Sequence, residues 1–217
     1  SNVKKVLALS TDKAVNPINL YGATKLASEK LFIAANNISK KNNTRFSIVR
    51  YGNVISSRGS VVEVFKNIVK NNNQFIPSTD KDMTRFVITI DQGVKFVLNS
   101  LDLMKGGEVF IPKMPALKIL DLANVIAPKI PKKIIGIRPG EKLHEVLFSK
   151  DESRNIIQYK NHYVIAPNIV EISKKQFFKY KSNLIGKNLK ELYEYSSNLK
   201  NNFLEKKEIK KLLIIKN

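Results

Sequence analysis

Short apolar runs alternate with longer stretches whose apolar residues recur at helical spacing, and this alternation predicts a βα-type chain. Val6-Leu7-Ala8-Leu9 is continuously apolar, preceded by two lysines and followed by Ser10-Thr11-Asp12. That is the pattern of a parallel strand buried on both faces, with polar groups at its carboxyl end. Asn16-Pro17-Ile18-Asn19 marks a turn, and over 20–38 the residues Leu26, Leu31, Phe32, Ala34 and Ala35 fall at helical spacing. A second strand is expected over 46–51, a turn over 57–60 and a helix over 61–69. Beyond these come an extended segment over 85–88, a helix over 91–104 capped by Asp91 and stopped by Gly106-Gly107, and a strand over 109–111.

Pro112 and Pro115 mark a boundary. After it the pattern predicts a helix over 117–126, a strand over 133–137, and a helix over 141–147 opened by the turn Arg138-Pro139-Gly140. Past Asp151 the periodicity weakens to an edge strand over 163–165 and helices over 189–199 and 209–215. No internal repeat is visible.

Composition narrows the function. The chain has 217 residues, 43% of them hydrophobic, enough for one core or two small ones. Its net charge of +20 raises the question of nucleic acid or an anionic surface, but only six of the 38 cations are arginine. A lysine excess spread along the chain beside asparagine runs such as Asn71-Asn72-Asn73 reads as compositional drift, so neither nucleic acid nor membrane is expected as a partner. The absence of cysteine removes disulfides and thiolate sites, leaving His144 and His162 as the imidazole ligands, and no metal site is expected. No apolar stretch approaches the ~20 residues that span a bilayer, and a cytoplasmic protein is expected.

Candidate chemistry concentrates near the N-terminus. Tyr21 and Lys25 are four apart, hence on one helix face, and an ammonium beside a phenol favours the phenolate. The pair opens a helix just after a buried strand, where open parallel sheets place their ligands. Arg85 and Arg138 stand out as rare arginines in a lysine-rich chain, because a planar guanidinium suits phosphate oxygens better than an ammonium does.

Several motifs together carry a resemblance. They are Ser-Thr-Asp-Lys-Ala-Val-Asn-Pro-Ile-Asn-Leu-Tyr-Gly-Ala-Thr-Lys over 10–25, Arg50-Tyr51-Gly52-Asn53-Val54, Ser57-Arg58-Gly59-Ser60-Val61, Met83-Thr84-Arg85-Phe86, and Ile137-Arg138-Pro139-Gly140-Glu141-Lys142. The chain resembles the UDP-N-acetylglucosamine 4,6-dehydratases of the extended short-chain dehydrogenase/reductase superfamily. It is most similar to the inverting type of pseudaminic acid synthesis, over positions 3 to about 165.

The resemblance implies an α/β fold, a partial Rossmann-like parallel sheet over 1–55 and 88–112 with a smaller α+β substrate-binding domain and tail over 56–87 and 113–217. Family members open with a glycine-rich turn that holds the cofactor pyrophosphate. None of the nine glycines here forms one, so the N-terminal cofactor-binding units, roughly a first third, are expected to be missing. An inactive fragment or a split-enzyme partner is the alternative reading, and a basic nucleic-acid or anionic-surface module a more distant one.

The implied roles are as follows. Tyr21 and Lys25 act on the sugar 4-hydroxyl and, with Val54, meet NADP. Lys13, where the related dTDP-glucose dehydratases carry glutamate, takes the C5 proton, and Asp12 protonates the departing 6-hydroxyl. Asn53, Arg58, Gly59, Ser60, Arg85 and Arg138 hold the UDP-sugar substrate, and Glu141 accepts its ribose hydroxyls. His144 reads as a packing residue, and a homo-oligomer is expected.

Overall fold

The computed structural model describes residues 2–39, 43–55, 57, 59–167, 174–181 and 183–214. They form two compact units, Ser1–Tyr51 with Val94–Lys113 and Val146–Tyr195, and Gly52–Gly93 with Met114–Glu145 and Ser196–Asn217. Among the described residues no helix is long and apolar enough to cross a membrane.

In the first unit, β1 (Lys5–Thr11) leads through a 3-10 turn at Asp12–Ala14 to α1 (Leu20–Ile38) and β2 (Arg45–Tyr51). β1 and β2 pair in parallel, with Leu9 opposite Val49 and Thr11 opposite Tyr51. After β3 (Asn53–Val54), α2 (Val61–Lys70), β4 (Ile76–Ser78), β5 (Thr84–Ile88) and α3 (Ile90–Leu103) comes β6 (Val109–Pro112), parallel to β2. The helix α3 ends before Gly106 and Gly107, both at positive φ.

The chain then passes β7 (Ala116–Lys118), α4 (Ile119–Ile126), β8 (Lys132–Ile134) and β9 (Val146–Phe148). It returns to the first sheet with β10 (Ile156–Gln158), β11 (His162–Ile165) and, after β12 (Lys179–Lys181) and β13 (Leu184–Ile185), β14 (Lys187–Asn188). The order is β1-β2-β6-β11-β10-β14, and the last three strands enter antiparallel to their neighbours. Val49, Phe110, Ile157, Val164 and Phe177 form the core of this unit.

Within that unit a charge is buried. The Arg50 guanidinium is 1% exposed and spends all five donors. Two go to the Glu29 carboxylate on α1 at 2.9 and 2.6 Å, two to Glu152 at 3.1 and 3.0 Å, and one to the Leu147 carbonyl at 2.9 Å. Burial by itself opposes the Arg50 charge, but the two carboxylates outweigh it and hold the guanidinium above its ordinary value. Burial pushes the Glu152 carboxyl up, and the Arg50 charge and hydrogen bonds hold it below its ordinary value.

The second unit packs two small sheets, β3-β5-β7 and β4-β8, with α2, α4 and α5 (Lys206–Ile214). Val62 and Phe65 of α2, Ile76, Leu117, Leu122 and Ile209 form its core. The spacing of Val62 and Phe65, one helical turn, puts both on one face.

Several expectations are corrected. β1 is half-exposed along most of its length, because among the described residues no strand pairs on its outer side. The α3 cap is Thr89, whose hydroxyl accepts from the Gln92 amide at 3.2 Å while the Gln92 side chain accepts from the Thr89 amide at 3.0 Å; Asp91 lies in the first turn. The helix expected over 117–126 begins only at Ile119, since Ala116–Lys118 pair as a strand with β5.

No helix forms over 141–147. The Leu143 carbonyl accepts from the Thr84 amide at 3.1 Å, and the Glu145 amide donates to the Ser197 hydroxyl at 2.9 Å, so these backbone groups are spent on distant partners. Nor does a helix form over 189–199, where the Ser197 amide donates to the Glu145 carbonyl at 2.8 Å. The strand at 162–165 is interior, between β6 and β10. The unit boundaries differ from those expected. Residues 146–195 pack with the first unit because β10, β11 and β14 complete its sheet, and 52–55 and 88–93 fall in the second, where β3 pairs with β5.

Two outcomes follow for stability. Glu29→Gln leaves a buried guanidinium short of one carboxylate and should cost about 3 kcal/mol, measured as a lowered urea midpoint. Replacing both partners, Glu29→Leu with Arg50→Met, should cost less than the single change. The His162 imidazole, stacked 4.6 Å from the Tyr159 ring, is held neutral by burial and by the Lys113 charge, its value pushed down to about 4 from 6.5. The unfolded chain therefore binds the extra proton first, and stability should fall as pH drops from 6.5 to about 4 and level off below. His162→Gln should lose that part of the slope in denaturant titrations across the same window.

Candidate active site

The first cluster grows from the carboxyl end of β1. Thr11 caps the 3-10 turn, its hydroxyl accepting from the Lys13 amide at 3.4 Å and donating to Asp12 Oδ1 at 2.9 Å. Lys13 Nζ lies 2.8 Å from the same oxygen. Asp12 is fully buried, yet its Oδ2 has no hydrogen-bond partner among the described residues, and neither has the buried Ser10 Oγ. A buried carboxylate oxygen left open is costly, which marks this turn as a place where a ligand's donor fits.

α1 starts against the same turn. Asn19 caps it by accepting from the Gly22 amide at 2.8 Å, so the first turn carries Tyr21, which is 53% exposed. Lys25 Nζ donates to the Leu9 carbonyl at 3.3 Å, which ties the ammonium back to β1. A Cβ at Gly22 would sit 2.3 Å from the Lys13 carbonyl oxygen and 3.0 Å from the Pro17 Cβ. Only a residue without Cβ lets the helix approach the Asp12–Ala14 turn this closely. Tyr51, opposite Thr11, is pushed up by burial and by the neighbouring Tyr21 phenol, and stays a neutral hydroxyl.

The structure thus groups Asp12, Lys13, Tyr21 and Lys25 on a strand end, a turn and the helix that follows. The sequence reading missed Thr11, Asn19, Gly22 and Tyr51. Asn19 three residues before Gly22 had a legible signal as a cap; Gly22 had none, because its role depends on a backbone carbonyl nine residues away.

The second cluster lies wholly in the second unit. A cavity of about 250 Å³ is lined by Asn53, Val54, Gly59, Ser60 and Arg85 among others. Another of about 230 Å³ shares Asn53, Gly59 and Arg85 with it and adds Arg138 and Glu141. Ser60 sits at the N-cap of α2 without a side-chain capping bond, and its buried Oγ has no partner among the described residues. An uncapped helix N-terminus beside an open hydroxyl suits an anion. Gly59 is at φ +70, a conformation that favours glycine.

The two arginines differ. Arg85 is largely occupied, donating to the Thr84 carbonyl at 2.7 Å, the Leu143 carbonyl at 3.1 Å and Glu141 Oε1 at 3.4 Å. Glu141 therefore serves first as its partner. The Arg138 guanidinium has no side-chain partner among the described residues. His144 Nδ1 lies 2.8 Å from the Thr84 hydroxyl, and burial together with the Arg85 charge lowers it, as befits a neutral packing residue. Arg58 lies outside the described residues.

The sequence profile of the polysaccharide biosynthesis protein family matches residues 1–167. The chain belongs to this family. Among its relatives, this family member is 55% identical over 178 residues to the inverting UDP-N-acetylglucosamine 4,6-dehydratase of Campylobacter jejuni, covering 82% of this chain and 53% of that protein. The resemblance read from the motifs therefore holds. It is 42% identical over 222 residues to an uncharacterized membrane protein of Methanocaldococcus jannaschii, covering 97% of this chain and 62% of the other.

Of solved structures, Pen from Bacillus thuringiensis aligns over 99% of this chain and 63% of its own, at 34% identity and a TM-score of 0.83. The dTDP-glucose 4,6-dehydratase DesIV from Streptomyces venezuelae aligns over 69% of this chain and 53% of its own at 16% identity and TM-score 0.57, which shows a shared Rossmann-type α/β fold. This family member spans about half the length of these curated dehydratase relatives.

Gly22→Ala should force the α1 start and the Asp12–Ala14 turn apart, at a cost of about 1–3 kcal/mol. Urea titration checks it, and an unchanged midpoint would show that the close approach carries no constraint.

Proposed function

We propose that this chain carries the proton-transfer and sugar-nucleotide-binding residues of an NADP-dependent 4,6-dehydratase. The enzyme converts UDP-N-acetylglucosamine to a UDP-4-keto-6-deoxy-hexosamine with inversion at C5, for a bacterial surface or flagellin glycan by way of pseudaminic acid. The observation that carries this reading is the Asp12–Lys13 pair, 2.8 Å apart with Asp12 Oδ2 open, on the turn against which the Tyr21–Lys25 helix starts. The identity to the Campylobacter jejuni dehydratase supports it independently. The reaction belongs in the cytoplasm, and a homo-oligomer is favoured by the exposed Leu20, Leu31 and Ile38 along α1.

The donor set fits the nicotinamide end of the cofactor, since a phenol and an ammonium share one helix face at the carboxyl end of β1. A bound nicotinamide supplies acceptance of a hydride from the sugar C4 and its return to C6. Tyr21 Oη takes the proton of the 4-hydroxyl, and Lys25 holds the phenolate that this requires. The resulting ketone acidifies the neighbouring C5 hydrogen.

Lys13 and Asp12 then act as one unit. Shifting a single proton across their hydrogen bond turns the ammonium–carboxylate pair into an amine and an acid, a base and a proton donor made together. The amine takes the C5 proton while the acid protonates the departing 6-hydroxyl, which leaves as water and returns the pair to its charged form. Reprotonation at C5 sets the stereochemistry. Ser60, the α2 N-terminus and the Arg138 guanidinium bind the diphosphate, with Arg85 and Glu141 bracing one another beside it.

The test is single-turnover absorbance in the reduced-nicotinamide band, with the sugar followed by mass. Tyr21→Phe should give no reduced cofactor and no change in the sugar. Lys13→Ala should give reduced cofactor without loss of water. Near-normal turnover by Lys13→Ala would remove Lys13 from the reaction.

A further inference from the structure

The first unit contains a cavity of about 800 Å³ that shares no lining residue with either cluster above. It is a size that accommodates a small-molecule ligand. Lys113, Lys160, Lys187 and Lys190 line it, against a single carboxylate, Glu191. Four ammoniums are gathered on this one concavity, and some lysines elsewhere are instead tied into the fold. Lys5 donates to the Leu101 and Asp102 carbonyls at 2.8 Å each, Lys132 to the Ala127 carbonyl at 2.7 Å, and Lys181 pairs with Asp102 at 2.7 Å. None of the four cavity lysines has a hydrogen bond or ion pair from its ammonium among the described residues. Like charges gathered without a carboxylate partner repel one another, and an anion relieves that cost.

The walls are built rather than incidental. Gly186 is buried between β13 and β14, and a Cβ there would lie 2.3 Å from Ile157 Cγ2 and 2.8 Å from the Tyr159 ring, so glycine lets the strand carrying Lys187 close onto the sheet. The Tyr159 hydroxyl donates to the Phe177 carbonyl, and the Tyr193 hydroxyl donates to that of Tyr163 at 3.0 Å. Lys113 Nζ stands 5.0 Å over the Tyr163 ring, where burial disfavours its charge and lowers it from the ordinary value. Its place at the carboxyl end of β6 sets it facing the β10–β11 turn that carries Lys160, where the Lys113 amide donates to the Asn161 carbonyl at 3.0 Å.

We propose that this cavity binds a phosphorylated small molecule, with Lys113, Lys160, Lys187 and Lys190 on its phosphate groups and the Tyr159 and Tyr193 rings beside its body. The site is independent of the sugar-nucleotide cluster, whose cations are arginines.

Isothermal titration of the full chain with inorganic pyrophosphate and with ATP tests it, comparing the wild type with two variants. The first combines Lys160→Gln, Lys187→Gln and Lys190→Gln, all exposed lysines, with folding checked by circular dichroism; the second combines Lys66→Gln, Lys70→Gln and Lys210→Gln, three exposed lysines of the other unit that line neither cavity there. Saturable binding should weaken at least about tenfold in the first variant and stay unchanged in the second. ATP binding more tightly than pyrophosphate would identify a nucleotide; equal binding would identify the phosphates as the whole determinant, and either supports the site. Absence of saturable binding, an unaffected first variant, equal loss in the second, or equal binding of polyglutamate at matched charge would overturn it.

Discussion

A guanidinium with no exposed donor sets the arrangement of the first unit. Arg50 extends from β2, and its five hydrogen bonds reach α1 through Glu29, the end of β9 through the Leu147 carbonyl, and the following turn through Glu152. Taking three charges out of water is costly, and only complete pairing offsets it. Satisfaction of all five donors therefore demands that strand, helix and turn take up one mutual position. Because α1 also carries Tyr21 and Lys25, the same pairing holds the helix of the proton-transfer residues in place. A hydrophobic contact of equal area would tolerate sliding; a planar fork between two carboxylates does not.

The site itself departs from that thoroughness. At the carboxyl end of β1, Asp12 is as buried as Arg50, but only one of its oxygens is engaged, by Thr11 and Lys13. Ser10 and Ser60 likewise bury hydroxyls without partners among the described residues. Polar groups left open in this way cost stability, and these three fall at the turn before α1 and at the start of α2. Complete pairing around Arg50 thus contrasts with incomplete pairing at these two places.

The charge of +20 has a comparable division. Many lysines snorkel to backbone carbonyls or single carboxylates, as Lys5, Lys105 and Lys132 do, and act as fasteners between neighbouring segments. Arginine is kept for geometry that a point charge cannot satisfy, at Arg50 and at Arg85. The lysines around the cavity of the first unit follow neither use, and they are gathered on one concavity.

Local pattern determined the strands and helices whose stability is local. The continuous apolar run before Ser10 made β1, the spacing over 20–38 made α1, and the glycines at 106 and 107 ended α3. The motif residues Tyr21 and Lys25 were legible because a helix puts positions four apart on one face whatever surrounds it. Tertiary structure decided the remainder. Residues 141–147 and 189–199 have helical spacing but become extended and looped, because their backbone groups bond Thr84, Ser197 and each other across the second unit. The same long-range competition turned Ala116–Lys118 into a strand beside β5 and carried 146–195 into the first sheet. Gly22 under Lys13, Tyr51 beside Tyr21 and Glu141 on Arg85 depend on separations of 9 to 56 residues that no window of sequence spans. A short-range pattern selects the element; which donors and acceptors remain for a ligand is known only once the chain has brought its distant partners together.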